Sequence, residues 1–232
     1  MALAAMLSVG LCSCEKENED NGSVSGGGGG ETPGGGTSEE WVDLGLPSGR
    51  LWAICNLGAT KPEEYGDYYA WGETDTKSTY NFSTYKHCRG DYNQLTKYCS
   101  NASYGYNGFT DTLTVLQAID DAATARLGNG ARIPTKKDWE ELIANTTNDW
   151  TTENGVYGRK FSASNGKSLF LPAAGKCDGS ALGGAGGYGY YWSSSLITDG
   201  PIDAWGCDFS SGGVYPWVNY HRYYGLSVRA VR

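Results

Sequence analysis

Between Cys14 and Glu40 the chain has almost no apolar side chains, so any hydrophobic core must be built from Trp41 onward. The stretch runs Glu15-Lys16-Glu17-Asn18-Glu19-Asp20 and then through glycine from Gly26 to Gly30 and from Gly34 to Gly36. Such a segment buries too little surface to offset the entropy of ordering it, and it reads as a flexible tether. Residues 15 to 40 hold seven acids and one lysine, whereas residues 41 to 232 hold 19 acids and 17 bases. The acidity belongs to the tether. The folding part has no global field to attract nucleic acid or another polyanion, and nucleic acid is not an expected partner. Its 192 residues suit one ordinary domain, with no second low-complexity break to divide them.

Ahead of the tether, the apolar run from Met1 to Gly10 leads into Leu11-Cys12-Ser13-Cys14. Leu at −3, a small residue at −1 and Cys at +1 resemble the lipobox of bacterial lipoproteins. That resemblance implies removal of residues 1–13 and attachment to a membrane through lipid on Cys14. A transmembrane span is the competing reading, but only thirteen residues precede Cys14, where about 20 are needed to cross a bilayer. The acidic run Glu15 to Asp20 resembles the export signal that sends lipoproteins of Bacteroidetes-type bacteria to the outer face of the outer membrane; a merely solvating tail is the alternative. The expected organisation is a signal peptide over 1–13, a tether over 14–40 and one domain over 41–232.

Within the domain, glycine is abundant and apolar segments are short, which favours many turns and short strands over a helical bundle. Two stretches have helical spacing. Thr112 to Leu127 places Leu113, Leu116, Ile119, Ala123 and Leu127 at helical intervals, with Asp120-Asp121 marking where the regular part begins and Gly128-Asn129-Gly130 a stop. In the second, Thr135 is an N-cap with Asp138 three residues on, and Trp139, Leu142 and Ile143 share one face. Strands are expected over Arg50 to Cys55, Tyr68 to Trp71, Val156 to Ser162 and Lys167 to Leu171, the last two around the hairpin signal Asn165-Gly166. Further strands are expected over Tyr190 to Ser194, Ala204 to Ser210, Val214 to Val218 and Leu226 to Val231. The class is α+β, with two helices on a largely antiparallel sheet.

Several ordered motifs carry a family resemblance. Trp41-Val42-Asp43-Leu44-Gly45-Leu46-Pro47-Ser48-Gly49-Arg50-Leu51-Trp52-Ala53, Asn56-Leu57-Gly58-Ala59, Tyr69-Ala70-Trp71-Gly72-Glu73 and Ala131-Arg132-Ile133-Pro134-Thr135 are followed by Leu171-Pro172-Ala173-Ala174-Gly175, Tyr191-Trp192-Ser193-Ser194-Ser195 and Gly225-Leu226-Ser227-Val228-Arg229. Together they resemble the Fibrobacter succinogenes major paralogous domain over essentially Trp41 to Arg232. That family is similar to the C-type-lectin-like fold of formylglycine-generating enzymes and of retroelement variable proteins. The resemblance implies a twisted antiparallel sheet, two helices, long irregular loops and paired N- and C-terminal strands.

A scaffold of this kind does not dictate a function, and each chemistry has to be sought at its own residues. Cys55 reads as a small buried hydrophobe in a strand. Cys88 and Cys99 enclose ten residues of polar loop, making a disulfide plausible in an oxidising compartment, with Cys177 and Cys207 a weaker second pair. Connectivity is not fixed by spacing. None of these cysteines matches the reactive pair of a formylglycine-generating enzyme. With only His87 and His221 in the chain, HExxH is excluded, and no Gly-x-Ser-x-Gly elbow occurs. Gly184 to Gly189 spells GxGxxG but is followed by Tyr190-Tyr191-Trp192-Ser193, so it reads as a loop with no helix to receive a phosphate. Zinc spacing is absent, and the lectin motifs Glu-Pro-Asn, Gln-Pro-Asp and Trp-Asn-Asp do not occur. No cofactor is expected, although Asp199, Asp203 and Asp208 leave calcium open.

Between Tyr188 and Tyr224, eleven of 37 residues are aromatic, more than twice the chain's 13%, and they alternate with Ser, Gly, Asp and Asn. This is the chemistry of a paratope: rigid aromatic area beside adaptable hydrogen bonders. Alternation turns Trp205, Cys207 and Phe209 inward with Val214, Pro216 and Val218, leaving Asp208, Tyr215, Trp217, Asn219, His221 and Tyr223 outward. The competing reading is that the aromatics fill a core poor in Leu and Ile. The expected function is a non-enzymatic, surface-anchored module binding a glycan or protein ligand. The alternatives are an enzyme related to sulfatase-modifying oxidases and a structural fimbrial or cell-surface unit.

Overall fold

Both α-helices begin where a side-chain oxygen closes the first turn. The computed structural model describes residues 41–232; the signal, Cys14 and the acidic run Glu15 to Asp20 lie outside the described residues. Helix α1 (Ala122–Leu127) is capped by Asp121, which accepts from the Thr124 amide at 3.0 Å, and it stops at Gly128 with φ of 59°. The helix is therefore regular only beyond Asp120-Asp121. Helix α2 (Lys136–Ala144) carries a full capping box: Thr135 accepts from the Asp138 amide at 3.3 Å, and Asp138 accepts from the Thr135 amide at 2.7 Å. Its buried side is Trp139 and Leu142, with Ile143 partly buried beside them.

Among the described residues the strands form four sheets. A hairpin joins β1 (Trp41–Asp43) to β2 (Leu51–Ala53). After β3 (Tyr68–Tyr69), a three-stranded antiparallel sheet is built from β4 (Thr146–Glu153), β5 (Val156–Ala163) and β6 (Ser168–Pro172). A second hairpin pairs β7 (Lys176–Asp178) with β8 (Ala181–Gly183). The largest sheet contains β9 (Tyr188–Leu196), β10 (Asp203–Ser210), β11 (Gly213–His221) and β12 (Leu226–Ser227), in the order β11-β10-β9-β12-β3. Its pairings are antiparallel except the one between β12 and β9. The fold is mixed α+β, mostly sheet with two α-helices among the described residues.

The expected C-terminal strand is regular only over Leu226–Ser227, because the chain then leaves β9 to bond with β2. Ala53 donates to Ala230 at 2.9 Å, Leu51 to Arg232 at 3.1 Å, and Arg232 back to Leu51 at 3.0 Å. The two ends of the domain are thereby stitched together.

Apolar side chains cover the largest sheet on both faces. Trp192, Leu196, Ala204 and Tyr220 pack with Trp71, Tyr98, α1 and Leu226 on one side. On the other, Tyr191, Cys207 and Phe209 meet Trp139 and Leu142 of α2, Phe161, Leu169 and Leu171 of β5 and β6, and Trp52. The aromatics of this region thus supply a large part of the core as well as surface. Two fully buried arginines join the irregular segments to this frame. Arg222 donates to the Tyr85 hydroxyl at 2.8 Å and to the carbonyls of Tyr98, Pro201 and Lys97, while Arg229 holds Asn56 Oδ1 at 3.0 Å and the carbonyls of Ala53 and Ile54.

The disulfide expected between Cys88 and Cys99 is not formed. Both are free thiols engaged with different main-chain carbonyls: Cys88 donates to Phe82 at 3.0 Å, and the buried Cys99 donates to Asn101 at 3.2 Å. Nor does Cys207 pair with Cys177, since Cys207 is a free thiol packed with Phe209 and Trp139, whereas Cys177 packs with Ala70, Tyr80 and Tyr85.

Candidate functional site

The ribbon of β10 and β11 carries most of the expected contact residues, and one irregularity decides where they point. Trp205 pairs with Asn219 and Gly206 with Val218, but Asp208 pairs with Tyr215, so β11 spends one extra residue around Pro216 and Trp217. Directly opposed residues share a face of a sheet, and an extra residue switches which side chains follow. Tyr215 consequently shares the face of Asp208, whereas Trp217, Asn219 and His221 lie on the opposite one. The single outward row expected from simple alternation is corrected to two half-rows on opposite faces.

On the α2 side, Lys136 at the first position of the helix extends between two indoles. Its Nζ lies 4.2 Å from the ring centre of Trp205 and 4.4 Å from that of Trp217. Trp205, expected inward, does share the face of Cys207 and Phe209, but it lies at the end of the α2 contact and is only partly buried. Trp217 is 39% exposed. One row further along, Asp203 Oδ1 is 2.6 Å from His221 Nδ1, and its other oxygen accepts from Asn219 Nδ2 at 3.1 Å. Two tryptophan rings, an ammonium and a carboxylate–imidazole–amide set thus occupy one solvent-facing patch. Tyr223 lies past the strand, half-buried with its ring 4.7 Å from Phe82 and 4.6 Å from Tyr224.

The opposite face is a tyrosine cluster. Gly206 makes it possible, because a Cβ there would lie 2.8 Å from the Tyr220 ring, which folds across this glycine. From that position the Tyr220 hydroxyl reaches Asp208 Oδ2 at 2.7 Å. Burial raises the Asp208 carboxyl above its usual range against the opposing effects of Tyr220 and Lys176. Burial likewise lowers the Lys176 ammonium, with Asp178 and Asp208 acting to restore it. Sequence reasoning missed Lys136, Lys176, Tyr188, Tyr190 and Tyr224 as surface partners, and Tyr220 as the buried ring beneath them. Pro216 was the available signal, since proline inside a strand marks an edge or a bulge.

Acid-base groups elsewhere are built into structure. Asp120 is buried and accepts from Lys97 at 2.5 Å, Tyr98 at 2.8 Å and Lys86 at 3.1 Å; these bonds outweigh the desolvation that opposes ionisation and lower it to about 2. His87, 3.6 Å from Asp120, bonds the Gly72 carbonyl at 2.8 Å and is lowered to about 4 by burial. Burial pushes the thiols of Cys88, Cys99 and Cys207 up, the direction opposite to that of a reactive cysteine. The calcium set considered for Asp199, Asp203 and Asp208 is not assembled, because Asp203 and Asp208 lie on opposite faces of β10. Among the described residues no cluster of three or more His, Cys, Asp or Glu is arranged to hold a metal, and no helix is long and apolar enough to cross a membrane. Comparison of the chain with family models, with curated proteins and with solved structures finds no match.

Proposed function

We propose that this protein is a lipid-anchored surface module of C-type-lectin-like fold that binds a glycan or protein ligand through the patch of Trp205, Trp217, Lys136, Asp203, Asn219 and His221. The observation that carries the reading is the pair of tryptophans flanking Lys136 at the solvent surface. Trp217 and Trp205 offer rigid area for a sugar face or a partner side chain, and the hydrogen-bonded polar set beside them gives direction. The stitched chain ends and the two helices on a largely antiparallel sheet support the lectin-like assignment, and the ordered motifs from Trp41 onward support the family resemblance. The lipobox-like Leu11 to Cys14 and the acidic run behind it support anchorage on the outer membrane with the domain displayed outward.

Two experiments test this. Trp205→Ala with Trp217→Ala is expected to weaken binding to the ligand found by glycan-array or surface-protein screening by about 2 kcal/mol or more, roughly thirtyfold, without a matching fall in melting temperature. Undiminished binding by a folded double variant sinks the site. Separately, Cys14→Ala is expected to abolish incorporation of labelled palmitate and to leave the protein outside the membrane fraction or unprocessed. Palmitate labelling equal to wild type overturns the anchor.

A further inference from the structure

The sheet face turned away from α2 holds a cluster that the patch around Trp217 does not use. The Lys176 ammonium lies 4.1 Å from the ring centre of Tyr224, 5.3 Å from Tyr220 and 5.5 Å from Tyr190. Among the described residues it donates to no oxygen, so its three N–H groups keep their donor capacity. Asp208 spends Oδ2 on the Tyr220 hydroxyl, while its Oδ1 is buried with no hydrogen-bond partner. At the rim, Tyr188 stacks on Tyr190 with centres 5.9 Å apart and planes 16° apart, and Tyr188 and Tyr215 are 50% and 52% exposed.

We propose that this cluster is a second ligand subsite and that it takes a neutral hexopyranose unit. The proposal rests on reading the domain as a binding module and names the ligand class for this face. A pyranose presents an apolar C–H face together with hydroxyls that both donate and accept. Tyr188 supplies an exposed ring for the face, Lys176 donates to a hydroxyl oxygen, and Asp208 Oδ1 accepts from a neighbouring hydroxyl. An unpartnered buried acceptor is a cost of the unliganded state that such a hydroxyl removes. Reaching it requires a rim side chain to rotate, and Tyr188 and Tyr215 are exposed enough to do so on a fast timescale. Charge selects against the other ligand classes. Asp178 and Asp208 flank the single ammonium, which disfavours an acidic sugar or a phosphate. A cation fares no better, because Lys176 already occupies the tyrosine faces it would need.

The test titrates methyl glucopyranoside, methyl galactopyranoside and methyl mannopyranoside into the full-length chain, with saturation-transfer NMR and calorimetry as readouts. At least one glycoside is expected to bind saturably in the millimolar range, and its uronate counterpart at least tenfold more weakly. Asp208→Asn and Lys176→Met are each expected to weaken that glycoside at least tenfold, whereas Tyr92→Ala, at an exposed tyrosine that belongs to neither patch, changes it less than twofold. Because burial disfavours the ionised Asp208, the Asn variant is expected to melt at or above the wild-type temperature, which separates lost binding from lost fold. Saturable binding by none of the three glycosides, a uronate that binds as tightly, or full affinity in both variants overturns the subsite. Loss of screened-ligand binding in the Trp205/Trp217 variant alongside any of those results leaves the module reading standing and removes only this one.

Discussion

Deleting Gly225 to Arg232 is expected to abolish cooperative unfolding altogether. β12 pairs with both β9 and β3, so its loss separates the edge strand from the rest of the sheet. Leu226, Val228, Ala230 and Val231 are all essentially inaccessible to solvent and divide between the two cores. Burial of a large apolar side chain is worth about 1.5 to 3 kcal/mol, and a domain's whole stability is roughly 5 to 15 kcal/mol. The deletion also leaves the amides of Leu51, Ala53 and Leu57 without the carbonyls of Arg232, Ala230 and Val228. Circular dichroism through a thermal ramp checks this, and a truncated chain that melts cooperatively near the full-length temperature would show the segment to be peripheral.

The parts of this fold that are legible in the sequence have local causes. Thr135 and Asp138 announce α2 because a capping box is completed within four residues, and Asp121 fixes the start of α1 by capping the Thr124 amide three residues on. Asn165-Gly166 marks the hairpin between β5 and β6. Asn154-Gly155 carries the same signal, with φ of 48° and 83°, and turns β4 into β5. β4 is nevertheless hidden to a reading of apolar runs, because Thr146–Glu153 is almost wholly polar and rests on β5 with one side open to solvent. The pairing of the C-terminal segment with β2 has no local signature. It depends on contacts between residues far apart in sequence, and family resemblance suggested it where periodicity did not.

The candidate site divides the same way. Composition pointed to the segment from Tyr188 to Tyr224, but alternation assumes unbroken pairing, and the bulge at Pro216 and Trp217 breaks it. The sheet is also covered on both faces, so inward and outward are not opposites here: Ala204 and Cys207 are both buried, in different cores. Lys136 and Lys176 enter from α2 and β7, and no pattern within β10 or β11 could have included them. The disulfide reading of Cys88 and Cys99 failed because loop length bounds what a bridge would stabilise without saying where each thiol points.

Trp139→Ala is expected to be the most destabilising single substitution in the α2 interface and to loosen the patch proposed for binding with it. The indole is 1% exposed, packs edge-on against Trp52 at 4.9 Å and Tyr191 at 6.0 Å, and donates to the Trp192 carbonyl at 3.3 Å. Truncations of this kind cost about 3 to 5 kcal/mol, which for a domain of this size lowers the melting temperature by roughly 6 to 20 °C. Trp139→Phe keeps most of the packing but removes the bond to the Trp192 carbonyl, at a smaller cost of about 0.5 to 1.5 kcal/mol. The link to function runs through the helix. Lys136 begins α2, its amide donates to Ser195 Oγ at 3.1 Å, and its side chain is placed between Trp205 and Trp217 only while α2 stays seated on the sheet. Well below its own melting temperature, the Ala variant should therefore bind the screened ligand more weakly than the Phe variant does. An Ala variant that melts within about 2 °C of wild type would show that Trp139 does not hold α2 on the sheet, and equal binding by the two variants would separate the helix from the site.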